Sequence, residues 1–192
     1  MRRAIDHFLT LEPEELVLLD ILGPPLLVTT PRAVKRLANS YGLLTALRRE
    51  HRQTDLAETT LDGVAYRPYR AGLVLLAALV AYPALGPAFL VHLHHTAAEQ
   101  PGTSWSDYLE TLRPVRAAAW GNPAEPVMKP ARAQQWQAML DGLHRATGEA
   151  AGLGLHLAAP IGAWAEWVVP VGRLSFPAGR IVNGLARQRP LG

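Results

Sequence analysis

The chain has 192 residues, enough to bury a core in one large domain or two small ones without help from disulfides or metal. It holds no cysteine, which excludes a disulfide framework and any thiolate metal site. Net charge is +3, and 17 of the 19 basic residues are arginine, with only Lys35 and Lys129 besides. The isoelectric point of 9.6 therefore reflects arginine, which never titrates in range, and is no nucleic-acid signature.

The N-terminal stretch MRRAIDHFLTLEPEEL lacks the apolar run of a signal peptide, and a cytoplasmic location is expected. A first helix is predicted over 11–22. Thr10 caps it, Pro13 sits in its first turn, and Glu14 and Glu15 suit the positive end of its dipole. Leu16, Val17, Leu19, Asp20 and Ile21 give it a mainly apolar face, and Gly23-Pro24-Pro25 is expected to stop it.

Thr30 and Pro31 open a second helix that frays within 48–52. Val34, Leu37, Tyr41, Leu44 and Leu47 or Arg48 recur at three- and four-residue steps on one side. Arg32, Lys35, Arg36 and Asn39 fall on the other. An arginine in a first turn can fork onto phosphate oxygens, so this stripe is either an anion site or a solvated face. The basic run Arg48, Arg49, His51 and Arg52 reads as a solvated helix end, with polyanion binding as the rival.

Residues 53–65 read as an exposed loop, and no alternation of apolar and polar residues marks a strand. Residues 71–91 carry no charge and number 21, long enough to cross a bilayer. Pro83, Gly86 and Pro87 interrupt them, so Tyr66 to His95 is read as a buried helical hairpin and a membrane is not an expected partner. His92, His94 and His95 with Glu99 resemble a metal cluster, but zinc needs further ligands that are not evident, and a helix C-terminus favours histidine anyway. No metal is expected.

Ser104 is expected to cap a short helix to about Leu112. Residues 113–129, with Pro114, Gly121, Pro123 and Pro126, are read as irregular or as a short helix and then a linker. Pro130 to Thr147 is a helix with Trp136, Met139 or Leu140, and Leu143 on one face, ended by glycines 148, 152 and 154. A last short helix spans Pro160 to Val169 and carries Trp164 and Trp167, which with Trp136 are read as core residues. The tail after Pro170 is broken by Pro177 and Gly179. The fold class is thus all-α, an irregular bundle of five to eight helices. A helical segment over 1–52 carries the PRAVKR basic helix and a C-terminal helical region spans 66–192, with a Pro-rich connection near 121–130 that can divide two lobes. No phosphate-cradling G-x-x-x-x-G-K-[ST], no H-E-x-x-H and no G-x-S-x-G occurs, so no catalytic residue is assigned.

LEPEELVLLDILGPPLLVTTPRAVKRLANSYGLL, residues 11–44, resembles the helical region that closes the ATPase domain in KAP-type and STAND-like P-loop NTPases. The specific part is Pro31, Arg32, Val34, Lys35, Arg36, Leu37, Asn39 and Tyr41; YRPYRAGLVLLAALVAYPALGPAFL and WVVPVGRLSFPAGRIV resemble the downstream region at pattern level. The resemblance implies that Arg32 is similar to the sensor arginine of an AAA-like lid, with Lys35 or Arg36 able to serve and Asn39 supporting. It departs from the family in lacking the strand–loop–helix core and the acid that holds magnesium. It therefore implies a non-catalytic lid and regulatory region that meets ATP and Mg²⁺ only through a P-loop ATPase core or a larger multidomain protein. Two other readings are a nucleic-acid-binding module using the basic 32–52 helix and a membrane-associated helical protein using 71–95.

Overall fold

The structure is a computed structural model that describes residues 13–26, 31–50, 59–61, 64–113, 130–157, 160–175, 178–179 and 184. Eight helices stand among the described residues: α1 Pro13–Leu26, α2 Pro31–Glu50, α3 Tyr69–Ala81, α4 Gly86–Glu99, α5 Trp105–Leu112, α6 Pro130–Gly152, α7 Ile161–Ala165 and α8 Val168–Gly172. The chain is an all-α bundle, as its composition and periodicity predict. A small antiparallel hairpin, β1 Thr59–Leu61 and β2 Val64–Tyr66, precedes α3, with Leu61 paired to Val64. It replaces the loop expected there. Three-residue strands are too short for alternation to register, but Asp62-Gly63 between them is a two-residue hairpin signal in the sequence.

Helix α3 is the axis of the fold. Every residue from Tyr69 to Leu79 is buried, and α1, α2, α4, α6, α7 and α8 all pack on it. A helix apolar on all sides must be covered on all sides. Two glycines allow the closest approaches. A Cβ on Gly72 would lie 2.2 Å from the Trp167 ring, and one on Gly86 would lie 2.9 Å from the Leu79 backbone. The apolar stretch turns back at 82–85, where the Leu85 and Gly86 amides donate to the Tyr82 carbonyl, and Pro87 enters α4 in its first turn. It is a buried hairpin, and no helix among the described residues is long and apolar enough to cross a membrane.

The second half of the core is aromatic. Trp105 of α5 and Trp164 of α7 stack with ring centres 3.6 Å apart, and Phe89 of α4 meets Trp105 and Trp136 edge-on. Trp105 Nε1 donates to Thr147 Oγ1 at 3.1 Å, which satisfies the one polar atom such a ring must bury. The loop before α5 is strapped to α7 by Ile161 N–H donating to Thr103 O and Gly162 N–H donating to Pro101 O. Trp136, Trp164 and Trp167 are all core residues, as their apolar neighbours predict.

Several boundaries differ from the sequence reading. Helix α1 continues through Gly23, Pro24 and Pro25 to Leu26. Leu22 and Leu26 are buried, and their packing holds a last turn that lacks two proline N–H bonds. The buried stripe of α1 is Glu15, Leu18, Ile21, Leu22 and Leu26, whereas Leu16 and Val17 face outward. Apolar residues spread around a helix do not announce which side it buries. Helix α6 passes Gly148 and ends at Gly152, because Ala146 and Ala150 extend its buried face. Gly154 then takes a positive φ of 74°, the left-handed conformation that glycine supplies beyond a helix end. The last predicted helix is two, α7 and α8, joined at the buried Trp167. Ser104 caps α5 as expected, accepting from the Asp107 amide at 3.1 Å. Thr10, Thr30, His51, Arg52 and residues 121–129 of the predicted connection lie outside the described residues, and Pro130 opens α6. Buried side chains from both sides of that connection, such as Leu22 and Met139, belong to one core.

Candidate functional site

Helix α2 lies on the surface with two unlike faces. Leu37, Tyr41 and Leu44 are buried and fix it against α3. Arg32, Lys35, Arg36 and Asn39 are exposed on the opposite side, and none of them forms an ion pair among the described residues. The structure thus gathers the four predicted site residues on one solvent-facing stripe. Val34, assigned by periodicity to the inner face, is 47 % exposed instead, because it sits at the edge of that face. Leu43, also exposed, continues the cationic stripe toward the C-terminal end. Helix α2 runs through Arg48 and Arg49.

The charge placement on α2 is unusual. Its first turn holds no acidic residue, and three cations occupy its first two turns. A helix N-terminus carries partial positive charge that falls off beyond the first turn, so Arg32 costs on the order of 0.3–1 kcal/mol there and Lys35 and Arg36 less. Helix α1 shows the ordinary arrangement, with Glu14 and Glu15 in its first turn.

Those two carboxylates are consumed inside the molecule, in a cluster that sequence reasoning missed. Glu15 is fully buried and accepts a 2.5 Å hydrogen bond from the Tyr41 hydroxyl of α2. Burial first, and then the Glu15 charge, push the Tyr41 phenol well above its ordinary range, so it stays a donor. Glu14 Oε2 receives Arg70 at 3.0 Å, Arg67 at 3.2 Å and the Tyr69 hydroxyl at 3.4 Å. The Arg70 bond holds the Glu14 carboxyl below its usual range, against burial, which acts the other way. Arg70 is nine-tenths buried, an expensive position for a guanidinium that lacked this partner. The signal in the sequence was the pairing of EE at 14–15 with YRPYR at 66–70. It was illegible because Glu14 and Glu15 already have a sufficient local reason to begin a helix.

The histidine group does not act as one unit. His92 Nδ1 lies 3.0 Å from the Tyr108 hydroxyl and 3.3 Å from Thr96 Oγ1. Burial, then the neighbouring His95, lowers the His92 pKa to about 4, so the ring is neutral at pH 7. His94 and His95 meet edge to face at 5.9 Å. Among the described residues no three histidine, aspartate or glutamate side chains come together as a metal site.

An open groove of about 860 Å³ runs along α6, lined by Arg113, Gln134, Trp136, Gln137 and Asp141 among others. Its cation is already engaged: Arg113 contacts Glu110 at 3.0 Å and Asp141 at 3.3 Å. The groove assembles no nucleophile with a base. The outer face of α2 is therefore the stronger candidate. Among known proteins, no family model, no curated sequence and no solved structure matches this chain.

Proposed function

We propose that this chain is a non-catalytic helical lid and regulatory region of the P-loop NTPase type, which senses a nucleotide phosphate gripped by a separate core. The observation that carries the reading is the set of cations at the N-terminal end of α2, where the helix dipole opposes them and no carboxylate of the described chain neutralises them. Stability does not account for that placement. A phosphate delivered from outside does: it meets Arg32 in a forked contact, gains from Lys35 and Arg36 one turn on, and turns the dipole's opposition into attraction. Asn39 extends the polar stripe beneath them. Phosphoryl transfer needs a phosphate cradle and a metal-holding acid together. In this reading both belong to the partner core, and ATP with Mg²⁺ reaches the chain only there.

The test is affinity capture of the tagged chain from its own cells, in Mg²⁺-ATP and after apyrase treatment. A P-loop ATPase should co-purify with nucleotide, and capture should fall at least tenfold after apyrase or with Arg32→Ala. Absence of any such ATPase, or capture indifferent to both perturbations, would refute the assignment.

A further inference from the structure

We infer that the outer face of α2 is a helix-docking seam, and that its occupant is an acidic amphipathic helix of the partner protein. Arg32, Arg36, Asn39 and Leu43 follow one another at steps of four, three and four residues, and all four are exposed. At 3.6 residues per turn they fall within a stripe roughly 60° wide and about 16 Å long. That alternation is the seam spacing of two packed helices. Leu43 is 52 % exposed at the C-terminal end of that stripe, which is the position of an apolar knob with no hole to fill. The inner face of the same helix is committed to α3 through Leu37, Tyr41 and Leu44, so the seam is available without disturbing the body.

Charge selects the occupant. Lys35 and Arg36 are exposed cations with no ion pair among the described residues, and a seam helix opposite them gains by presenting glutamate or aspartate. Opposite Leu43 it presents a large apolar side chain, and opposite Asn39 a polar one that fixes register. A parallel second copy would set Arg36 against Arg36. An antiparallel copy aligned along the stripe would set Arg32 against Leu43 and Arg36 against Asn39, leaving the cations without an acid and Leu43 without an apolar partner. The inference rests on the docking reading above in placing the partner at this face. It adds a division of labour, with Arg32 at the end of the stripe reaching phosphate while Arg36, Asn39 and Leu43 hold the partner's helix.

The experiment is fluorescence anisotropy of the full chain with two labelled helical peptides, one built of Glu/Leu heptads and the other of Lys/Leu heptads, beside calorimetry with magnesium triphosphate. The Glu/Leu peptide should bind and the Lys/Leu peptide should not. Arg36→Glu should weaken the first at least tenfold and shift preference to the second. Leu43→Ser should weaken binding at least fivefold, and Arg32→Ala, at the end of the stripe, should weaken it less than either of these. These substitutions are on the surface, and an unchanged thermal midpoint or circular dichroism spectrum confirms the fold. No peptide binding, equal binding of both peptides, or indifference to Arg36→Glu and Leu43→Ser overturns the inference. Self-association of the chain that Leu43→Ser abolishes also overturns it, by giving the face to a second copy. Triphosphate binding that depends on Arg32 alone, without peptide binding, removes the helix and leaves the phosphate reading standing. Peptide binding that passes these tests while ATPase capture ignores nucleotide and Arg32→Ala removes phosphate sensing and leaves the seam.

Discussion

Tyr41→Phe is the sharpest probe of how α2 is attached. The ring stays and keeps its place in the core, where Tyr41 is 1 % exposed, so the apolar contribution is nearly unchanged. What is lost is the hydroxyl that donates to Glu15 at 2.5 Å, while the Glu15 side chain remains fully buried. A hydrogen bond to a charged group in such a place contributes about 1.5–3 kcal/mol. The expected loss is therefore about 2 kcal/mol. For a chain of this length that lowers the thermal midpoint by roughly 4–8 °C, and with a urea slope of about 2 kcal/mol/M it moves the midpoint by about 1 M. Tryptophan fluorescence and far-ultraviolet circular dichroism should report the same shift. Glu15→Gln retains an acceptor and should cost less. The cycle of single and double variants should show a coupling of about 1 kcal/mol or more between the two positions. A Tyr41→Phe loss below about 0.5 kcal/mol, or a coupling indistinguishable from zero, would mean that this bond does not hold α2 to α1.

Arg32→Glu should raise stability by about 0.3–1 kcal/mol, since it exchanges a cation for an anion at the positive end of α2; a loss in urea denaturation would refute the dipole reading of that stripe. Gly72→Ala places a methyl carbon 2.2 Å from the buried Trp167 ring and should cost roughly 1–3 kcal/mol or more, read as a lowered midpoint with blue-shifted emission disturbed; a neutral effect would contradict the α3–Trp167 packing. His92 titrates near 4 in the folded chain and at 6.5 when unfolded. Between those values the unfolded chain binds the extra proton, so His92 contributes stability that is fully present above pH 6.5 and lost as pH falls through 4. An NMR titration should place its midpoint well below that of an exposed histidine, and His92→Gln should flatten the stability profile in that window.

Much of the helical framework was legible because its signals were redundant. Pro31 and the inner stripe of Leu37, Tyr41 and Leu44 agree on α2, and Ser104 with Asp107 marks the start of α5. The break at Pro83 to Pro87 makes the 71–91 stretch two helices, and both tryptophan-bearing segments bury what their apolar neighbours predict. The outer stripe of α2 was legible for the same reason, since four polar residues at helical spacing have one face to occupy. The failures share a cause too. Period reports a face only where composition alternates, so α1, with apolar residues spread around it, gave no sign that Leu16 and Val17 turn outward. Prolines and glycines read as stops were overridden by the packing of residues beyond them, Leu26 in α1 and Ala150 in α6. The Glu14–Arg70 and Glu15–Tyr41 contacts join positions 56 and 26 residues apart, and nothing local encodes them.

The two polar groups of the N-terminal helices explain each other. Helix α1 brings two carboxylates within reach of α2 and α3, and the cations of the α2 stripe receive neither. Glu14 goes to Arg67 and Arg70, and Glu15 to Tyr41. The first turn of α1 carries two acids that suit its dipole, whereas the first turn of α2 has none. The same helix is tied on its inner side by a buried bond through Tyr41, which lies five residues beyond Arg36 and on the other side of α2. A load applied at the outer stripe therefore meets a rigid mounting. From Tyr41 it passes to the first turn of α1, and through Glu14 to the buried guanidinium of Arg70 at the start of α3, the helix on which most of the bundle packs. Loss of the Tyr41 hydroxyl should accordingly loosen α2 in hydrogen exchange while leaving α4 to α8 protected, and docking at the stripe should tighten it. If α2 and α5 exchange together in both the parent chain and Tyr41→Phe, the stripe has no separate connection to the core and the regulatory half of the proposal fails.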